Sequence, residues 1–353
     1  MKDLSKKSVI IIVVAVVVAI AIIAVAVVDA ILQKRNTPVT HTGIAMGSVV
    51  SQKIYGDDVC KEISQAIATL DTEKLSVNSL ASEISKINEN AGKSAVAVSD
   101  ETLNYIEACL DIANKTNGAF NPLMGALIDL WNIESANPSV PSNEDIKNAI
   151  LLCDYTMMQV DGNSVYLPRE GMKLHLGASG KGIACDTGCG ILKKSDSVRG
   201  AVISVGGSVV TYGKNPEADC WTIGVRDPKG NVNDILGVLK LSGENYISTS
   251  GSYEKYFEKD GIRYHHILDY SIGAPAQREL MSVTVVAPSG ILSDALSTAC
   301  FVLDTEDSLE ILSKYSCQAI FVFENGDIIV TDGLADKFEI RNNSYRIAQV
   351  KEG

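Results

Sequence analysis

The chain has 353 residues, a formal net charge of −12 at pH 7 and 46% hydrophobic residues. This length allows one large domain or two modest ones. The acidic balance argues against nucleic-acid binding, which requires a basic face, and it repels phosphorylated ligands unless a cation intervenes.

The first predicted element is an apolar segment, residues 9–32, in which Asp29 is the single charge. A helix of this length, rising about 1.5 Å per residue, crosses a hydrocarbon core of about 30 Å. The lysines within residues 1–8 favour a short cytoplasmic N-terminus. We therefore predict a single-pass transmembrane signal anchor in the cell membrane, with the rest of the chain extracytoplasmic. Ala24-Val-Ala26 has the pattern of a cleavage site, so cleavage of the anchor stays open.

Behind the anchor we predict a polar tether at residues 33–41, a single folded unit at 42–340 and a loose polar tail at 341–353. Strands with hairpin turns alternate with amphipathic helices, which indicates an α+β domain with a mixed sheet rather than a doubly wound parallel sheet. The predicted helices lie at 58–75, 82–87, 101–116, 144–152 and 307–315, and the main strands at 45–55, 201–210, 221–225, 237–241, 246–250, 281–287 and 319–323.

The eight cysteines are scattered along the folded unit without a CxxC pair. Cys185 and Cys189 are four residues apart, a spacing more often found in packing than in metal sites. An even number of cysteines in an exported domain permits disulfides, and unpaired buried thiols fit equally well.

A loop of irregular backbone is predicted where Gly118 is followed by Asn121-Pro122, ahead of an apolar run that ends at Trp131. Glycine, asparagine and proline interrupt regular structure. The loop either brings backbone N–H groups to a ligand or is simply a turn.

A glycine-rich segment, residues 173–186, places three glycines and Lys181 between a short strand and a helix that continues to Lys194. Backbone N–H groups and a lysine at a helix N-terminus can bind phosphate. The spacing is not that of a P-loop, and a tight strand–helix turn is equally consistent. Farther on, Gly206-Gly207 interrupts the strand at 201–210, which indicates a bulge or a close approach by another group.

Two adjacent histidines, His265 and His266, lie in a predicted strand with Asp269 three residues on. Neighbouring side chains of a strand point to opposite faces, so only one of these histidines can face a given site. A lone histidine is usually structural, but a His–Asp pair near a metal is a candidate general base.

The segment 292–303 contains a candidate metal-binding pair of residues. Ser293 is predicted to cap a helix, which places Asp294 in its first turn. Thr298 follows four residues later on the same face. A carboxylate and a hydroxyl are hard oxygen ligands of the kind that Mg²⁺ takes from proteins. Alone, the pair is equally an acid near a helix start with a threonine packed on the preceding turn.

Taken together, these motifs resemble the ApbE family, the FAD:protein FMN transferases, over roughly residues 43–333. Each motif is short, and their order along the chain carries the resemblance. The matching pieces are residues 46–48, 82–88, 118–122 with 130–131, 176–182 with Asp186, 205–207, 248–251, 266–269 with Gly273 and Pro275, and 293–298.

The resemblance implies an α+β fold, a single mixed-sheet ApbE-like (T-fold-related) domain behind the N-terminal transmembrane helix. It implies an enzyme that transfers FMN from FAD to a Thr or Ser hydroxyl of an acceptor protein and releases AMP. Mg²⁺ would be held by Asp294, Thr298 and the backbone carbonyl of Ala178. The FAD site would be lined by Met46, Ala119, Phe120, Asn121, His175, Lys181, Gly206, Gly207, His266 and Ile267.

The implied acceptor carries its flavinylation residue in an Asp-Gly-x-[Ser/Thr]-Gly-Ala-Thr-like segment and is a protein such as a membrane redox-complex subunit. Either Asp294 or His266 would take the proton from the incoming hydroxyl. We favour His266 because a metal-bound carboxylate is a poor base.

Three positions depart from the family pattern. His175 stands where many relatives have an Asp that would contact the flavin nucleotide. Asn121 replaces an Asp, and Ile272 lacks a hydroxyl that the pattern provides. The metal pair and His266 are unaffected.

Two other functions stay open from the sequence. A Mg²⁺-dependent FAD pyrophosphatase would use the same site, with water in place of the protein hydroxyl. A membrane-tethered flavin-binding protein without turnover is a different class, and the presence of Asp294, Thr298 and His266 argues against it, because a pure binder needs no activated metal.

Overall fold

The computed structural model describes residues 16–25 and 37–348. Residues 16–25 form helix α1, whose side chains are exposed. Among the described residues, no helix is both long and apolar enough to span a membrane. The predicted anchor at 9–32 lies largely outside these residues, and the N-terminus at 1–8 and the end of the tail lie wholly outside, so those predictions stay predictions.

The described part of the domain combines short helices with many strands. The helices are α2 (Cys60–Thr69), continued by a π-helix (Leu70–Leu75), α3 (Glu83–Glu89), α4 (Asp100–Lys115), α5 (Gly125–Trp131), α6 (Asn143–Ile150), α7 (Gly177–Lys194), α8 (Gly290–Val302) and α9 (Thr305–Lys314), with 3₁₀ turns at Tyr155–Met157 and Asp332–Leu334. The strands are β1 (Val39–Ala45), β2 (Ser48–Tyr55), β3 (Val96–Ala97), β4 (Gln159–Asp161), β5 (Ser164–Tyr166), β6 (Gly200–Val205), β7 (Ser208–Gly213), β8 (Trp221–Arg226), β9 (Ile235–Leu241), β10 (Asn245–Gly251), β11 (Tyr256–Lys259), β12 (Ile262–His265), β13 (Leu268–Asp269), β14 (Ala274–Pro275), β15 (Leu280–Ala287), β16 (Gln318–Phe323), β17 (Asp327–Val330), β18 (Phe338–Ile340) and β19 (Arg346–Ile347).

A nine-stranded sheet organises the domain, in the order β1-β2-β6-β7-β10-β15-β16-β17-β19. Its neighbours pair antiparallel except β17 and β19, which are parallel. The predicted mixed sheet of an α+β domain is therefore confirmed. Smaller sheets, β8-β9-β18 and β3-β4-β5, and the hairpins β11-β12 and β13-β14 lie around it.

The two faces of the central sheet bury different partners because side chains alternate along each strand. On one face, Val283 and Val285 pack in the main core with Ile183 of α7 and Leu296 of α8. On the other face, apolar side chains form a second core with the small sheet β8-β9-β18. A third cluster, built around Trp131 and including helices α5 and α6, adjoins the cleft described below.

Two predicted strands contain hairpin turns. The strand predicted at 45–55 is divided by Met46-Gly47, which have φ angles of 54° and 64° and join β1 to β2. Two consecutive positive φ angles are typical of a type I′ hairpin turn. Gly206-Gly207 likewise joins β6 to β7 and is not a bulge inside one strand.

The predicted ends of the folded unit are also wrong. Strand β1 begins at Val39, within the predicted tether, because residues 39–45 pair along β2. At the other end Tyr345 is buried and its hydroxyl donates to Asp227, while β19 pairs with β17. The described part of the predicted loose tail is thus folded onto the domain.

All eight cysteines lie in the described part of the chain and are unpaired, and seven of them are buried. Burial raises the pKa of Cys60 to about 11 and of Cys109 to about 12. These thiols are protonated at neutral pH and behave as small apolar core groups.

Helices α7 and α8 cross with their backbones in contact. A Cβ on Gly182 would lie 1.9 Å from the carbonyl oxygen of Gly290, and a Cβ on Gly290 would lie 2.0 Å from that of Gly182. Asp186 of α7 accepts hydrogen bonds from the N–H groups of Gly290 (2.8 Å) and Ile291 (2.9 Å) and so caps α8. The predicted cap, Ser293, is instead buried inside α8, because the helix begins three residues earlier and places Asp294 in its second turn.

This crossing predicts opposite effects for two glycine substitutions in α7. Gly182→Ala should lower the free energy of unfolding by roughly 3 kcal/mol, because its new methyl group meets backbone that cannot move aside cheaply. Gly190→Ala should raise it by roughly 0.5–1 kcal/mol, because nothing lies within 4 Å of its Cβ position and alanine favours the helix. Urea unfolding of both variants followed by tryptophan fluorescence checks this, and equal effects of the two substitutions would contradict the close crossing.

Candidate functional site

The Asp294 carboxylate lies where α7, α8 and β7 meet, with 4% of the residue exposed. Its Oδ2 accepts a hydrogen bond from the backbone N–H of Gly182 (2.9 Å), and its Oδ1 accepts one from the hydroxyl of Ser208 (3.2 Å). The Nζ atom of Lys181 lies 4.0 Å from Oδ1. A buried carboxylate of this kind requires such partners, because an unpaired charge in the interior is costly.

The other two candidate metal ligands lie beside this carboxylate. The Thr298 hydroxyl is 3.4 Å from the carbonyl oxygen of Asp294 and 3.3 Å from the hydroxyl of Ser250. The carbonyl of Ala178 precedes Gly182 by four residues, so helical geometry directs it at the same N–H that donates to Asp294. Carboxylate, hydroxyl and carbonyl oxygens are thus gathered at the α7–α8 crossing.

This donor set suits a hard cation. Each carboxylate oxygen has about two acceptor positions, so one remains on Oδ1 beside Ser208 and one on Oδ2 beside Gly182. Oxygen ligands without thiolate or imidazole are what Mg²⁺ prefers. No cluster of three or more His, Cys, Asp or Glu residues in the described ranges is placed to hold a metal.

Two glycine-containing turns approach the start of α7. Met46, in the β1–β2 turn, donates its backbone N–H to Asp71 (2.8 Å), and its methyl group lies 3.1 Å from where a Cβ on Gly180 would be. Gly206 lies in the β6–β7 turn. A Cβ atom would not fit there, because it would lie 2.7 Å from Oγ of Ser48 and 3.3 Å from Cδ of Lys181. Gly206 and its neighbour are exposed, so these turns leave backbone open to a ligand beside the lysine.

The two histidines lie in different environments, one in the core and one at the surface. His265 is buried, its Nε2 lies 3.0 Å from the carbonyl oxygen of Ala276, and its Nδ1 accepts from the Ile267 N–H. His266 follows the end of β12 and is exposed, with Nδ1 3.2 Å from the carbonyl oxygen of Lys255. Because a carbonyl only accepts, Nδ1 of His266 carries the proton, and Nε2 is left free to accept one.

His266 lines a concave cleft, so water reaches its ring although protein surrounds it on most sides. Desolvation lowers the pKa of His266 well below its ordinary value, and the charges of Lys181 and Lys255 lower it further, while the hydrogen bond to the Lys255 carbonyl acts the other way. The imidazole is therefore neutral at physiological pH. The predicted His266–Asp269 pair does not form, because Asp269 accepts from the backbone and hydroxyl of Ser271.

The cleft at His266, of about 320 Å³, is also lined by Trp131 and Asp129. A second open cleft, of about 460 Å³, adjoins it at Asp129 and is lined by His175 and Asn88. Burial lowers the pKa of His175, with the charge of Asp129 acting against this. The two clefts meet at Asp129 and carry His175 in one and His266 in the other.

The other residues that were predicted to line the FAD site are packed or hydrogen-bonded within the protein, and they support the walls of the candidate site. Phe120 and Ile267 are buried in the main core, and Ala119 packs against it. The Asn121 side chain uses its amide within the protein, donating to the Cys153 carbonyl (2.8 Å) and accepting from Leu123 N–H (2.8 Å).

The segments that carry these residues are tied together by hydrogen bonds to backbone groups. The Asn88 amide both donates to and accepts from the backbone of Leu174, and the His175 N–H donates to the Pro122 carbonyl. The Trp131 indole donates to the Gly273 carbonyl (2.8 Å). Short motifs that are far apart in the sequence therefore brace one another.

Five groups that shape the site were given no role in it by the sequence, although Asp186 was part of a matching motif: the Gly182 N–H, Ser208, Asp186, Asp71 and the Lys255 carbonyl. Backbone groups leave no residue-type signal, and the partners of Asp186 and Asp71 lie far along the chain. Ser208 was detectable in principle, because it directly follows the Gly206-Gly207 pair that the sequence singled out.

Comparison with known proteins is consistent with this geometry. The model of the ApbE family matches residues 46–321. An FAD:protein FMN transferase of Treponema pallidum (strain Nichols) is 31% identical over 319 residues, covering 84% of this chain and 88% of the relative. One of Klebsiella pneumoniae (strain 342) is 33% identical over 317 residues, covering 88% of this chain and 98% of the relative.

Solved structures agree. The crystal structure of the ApbE protein from Thermotoga maritima MSB8 superposes with a TM-score of 0.77 at 32% identity, covering 84% of this chain and 97% of that one. The apo form of the Pseudomonas stutzeri flavinyl transferase ApbE gives a TM-score of 0.71 at 27% identity, with 81% and 91% covered. Since the family model spans most of the chain and relatives above 30% identity cover most of its length, this chain belongs to the ApbE family.

Proposed function

We propose that this chain is an FAD:protein FMN transferase, which moves FMN from FAD to a Thr or Ser hydroxyl of an acceptor protein and releases AMP. The observation that carries the proposal is the buried Asp294 carboxylate, with Lys181 beside it and two open glycine turns at the same place. The curated relatives at 31% and 33% identity carry this activity in their names.

Asp294, Thr298 and the carbonyl of Ala178 would hold Mg²⁺. When bound there, the cation neutralises negative charge on the pyrophosphate. The fit rests on the donor chemistry and on the acceptor positions that Gly182 and Ser208 leave free on the carboxylate.

The FAD pyrophosphate would lie beside Lys181, whose ammonium is within 4.0 Å of Asp294 and whose side chain is 31% exposed. An ammonium in this position offers donors to phosphate oxygens in a protein that is otherwise acidic. Met46, Gly206 and Gly207 would contribute the adjoining walls, and His175 and His266 the clefts on either side of Asp129.

The acceptor hydroxyl would attack the phosphorus of the FMN half of FAD. A new oxygen–phosphorus bond forms, the bond from that phosphorus to the bridging oxygen breaks, and AMP leaves with that oxygen. The hydroxyl proton passes to Nε2 of His266, which the Nδ1–H···O=C bond to Lys255 leaves free. A neutral imidazole suits this role because it does not first have to lose a proton.

The proposed setting is the outer side of the cell membrane, with residues 9–32 as the anchor. This rests on the apolar sequence and its flanking lysines. The acceptor would then be a protein exposed on the same side, such as a membrane redox-complex subunit.

Asp294→Asn should reduce flavin transfer by more than about a hundredfold, because an amide keeps the shape but loses the charge that holds a cation. The full-length protein is incubated with FAD, Mg²⁺ and a peptide bearing the Asp-Gly-x-Thr-Gly-Ala-Thr segment. The peptide mass reports the gain of FMN, and chromatography reports AMP.

Asp304→Asn is the matched control, since Asp304 caps α9 and asparagine caps equally well. AMP and free FMN with an unmodified peptide would show a pyrophosphatase instead. If FAD stays bound and intact and no AMP is released, both enzymatic functions are excluded and the protein is a flavin-binding protein.

The low pKa of His266 predicts the pH profile of transfer. A base is active above its pKa, so the acidic limb of log kcat/KM should lie below pH 6.5, roughly the value of an ordinary histidine. Lys181→Met removes a positive charge that lowers this pKa, so the limb should move to higher pH whatever happens to the rate. Initial rates from pH 3.5 to 8 measure the limb, because the pKa of His266 is lowered to about 4.

His266→Gln should remove the limb and slow transfer by roughly 10²–10⁴-fold, the usual contribution of a general base. His41→Gln, at an exposed position of β1, is the control and should change neither. If the limb survives in His266→Gln at an undiminished rate, another group takes the proton.

A further inference from the structure

We propose that a one-directional chain of three buried serine hydroxyls, from Ser293 through Ser248 to Ser208, positions the Asp294 carboxylate for the cation. The inference rests on the proposed Mg²⁺-dependent transfer and adds to it the residues that set the direction of its carboxylate ligand. None of the three serines is a ligand in the proposed site.

The chain is continuous by distance. The hydroxyls of Ser293 and Ser248 are 2.8 Å apart, Ser248 donates to Ser208 at 3.0 Å, and Ser208 donates to Oδ1 of Asp294 at 3.2 Å. The three serines are at most 1% exposed. Bulk solvent does not reach them, so the neighbouring protein groups orient each hydroxyl.

Counting protons fixes the direction. A hydroxyl has one proton, and a carboxylate oxygen has none to give, so the proton of Ser208 points at Asp294. Ser208 must then accept from Ser248, which in turn accepts from Ser293. The Ser293 Oγ also lies 2.9 Å from the carbonyl oxygen of Gly290 and donates to it, so its single proton is shared between this carbonyl and Ser248. Every donor therefore points toward the carboxylate or toward the start of α8.

The chain leaves the carboxylate little freedom to rotate. Ser208 holds Oδ1 from the sheet, and the Gly182 N–H holds Oδ2 from α7. The remaining acceptor positions consequently have fixed directions, and hydrogen bonds in series polarise one another. Partners that orient a metal ligand in this way commonly contribute 10- to 100-fold to metal affinity.

The test is a graded alanine series with Mg²⁺ affinity as its readout. Isothermal titration of MgCl₂ into the full-length protein should show a Kd raised roughly 10- to 100-fold in Ser208→Ala. Ser248→Ala should give a smaller rise, because Ser208 keeps its own bond to Asp294, and Ser293→Ala the smallest. Ser208→Thr returns the hydroxyl and should restore most of the affinity.

Ser282→Ala is the matched control. Ser282 is fully buried in β15, its hydroxyl has no hydrogen-bond partner among the described residues, and strand alternation turns it to the opposite face from Val283 and Val285. Its loss should leave the Kd for Mg²⁺ unchanged. Thermal unfolding of each variant without Mg²⁺ identifies any loss of affinity that follows from a loss of fold.

A wild type that binds Mg²⁺ and transfers FMN, with Ser208→Ala within twofold of its Kd, overturns the positioning role and leaves the proposed function intact. Equal losses of Mg²⁺ affinity in all three variants, or a loss of affinity in Ser282→Ala, also overturn the positioning role. Either result would mean that the substitutions act through overall packing. A wild type that neither binds Mg²⁺ nor transfers FMN overturns both.

Discussion

The contact of α7 and α8 at Gly182 and Gly290 is the constraint on which the site depends. Without side chains between them, the two backbones approach closely enough for the Gly182 N–H to reach the Asp294 carboxylate across the crossing. The same approach brings Asp186 to the orphan N–H groups that begin α8. One close crossing therefore positions a helix start and a candidate metal ligand together, and a larger residue at either glycine would separate both.

The negative net charge of the chain is expected to repel the pyrophosphate that the site is proposed to bind. Positive charge is supplied within the site: the Asp294 carboxylate attracts a cation, and the Lys181 side chain carries a positive charge. The Lys255 ammonium, 2.6 Å from Glu134, lies on the His266 side. These positive groups disfavour a further charge on His266, which is one reason why its pKa is low. The net charge of the chain therefore does not predict the electrostatic potential inside the site, which depends on the local dielectric and on the nearest charged groups.

The sequence was most informative where the signal is local. Helix α4 was predicted to within one residue at each end, because Ser99 caps it and its apolar residues repeat at helical spacing. The turn at Met46-Gly47 was read as strand, because strand propensity on both sides concealed a two-residue reversal that lacks the usual Asn-Gly pair. Cap assignment for α8 failed for a different reason: Ser293 is a good capping residue, but the cap comes from Asp186, 104 residues upstream. Asp294 and Thr298 were identifiable as a pair from their spacing, whereas the hydroxyls and N–H groups that hold them are set by tertiary contacts.

The buried serines beside Asp294 indicate a functional role, because stability alone does not require hydroxyl groups at these positions. A buried hydroxyl without a partner costs about 1–3 kcal/mol, while replacing both members of a hydrogen-bonded pair by apolar groups is often nearly neutral for stability. Alanines at Ser248 and Ser293 would therefore satisfy the fold at little cost, as Val283 and Val285 do on the neighbouring strand of the same face. What alanines cannot provide is a donor for Ser208, or through it a fixed direction for the carboxylate. The hydroxyls are better explained by the orientation of Asp294 than by the stability of the sheet on which they lie.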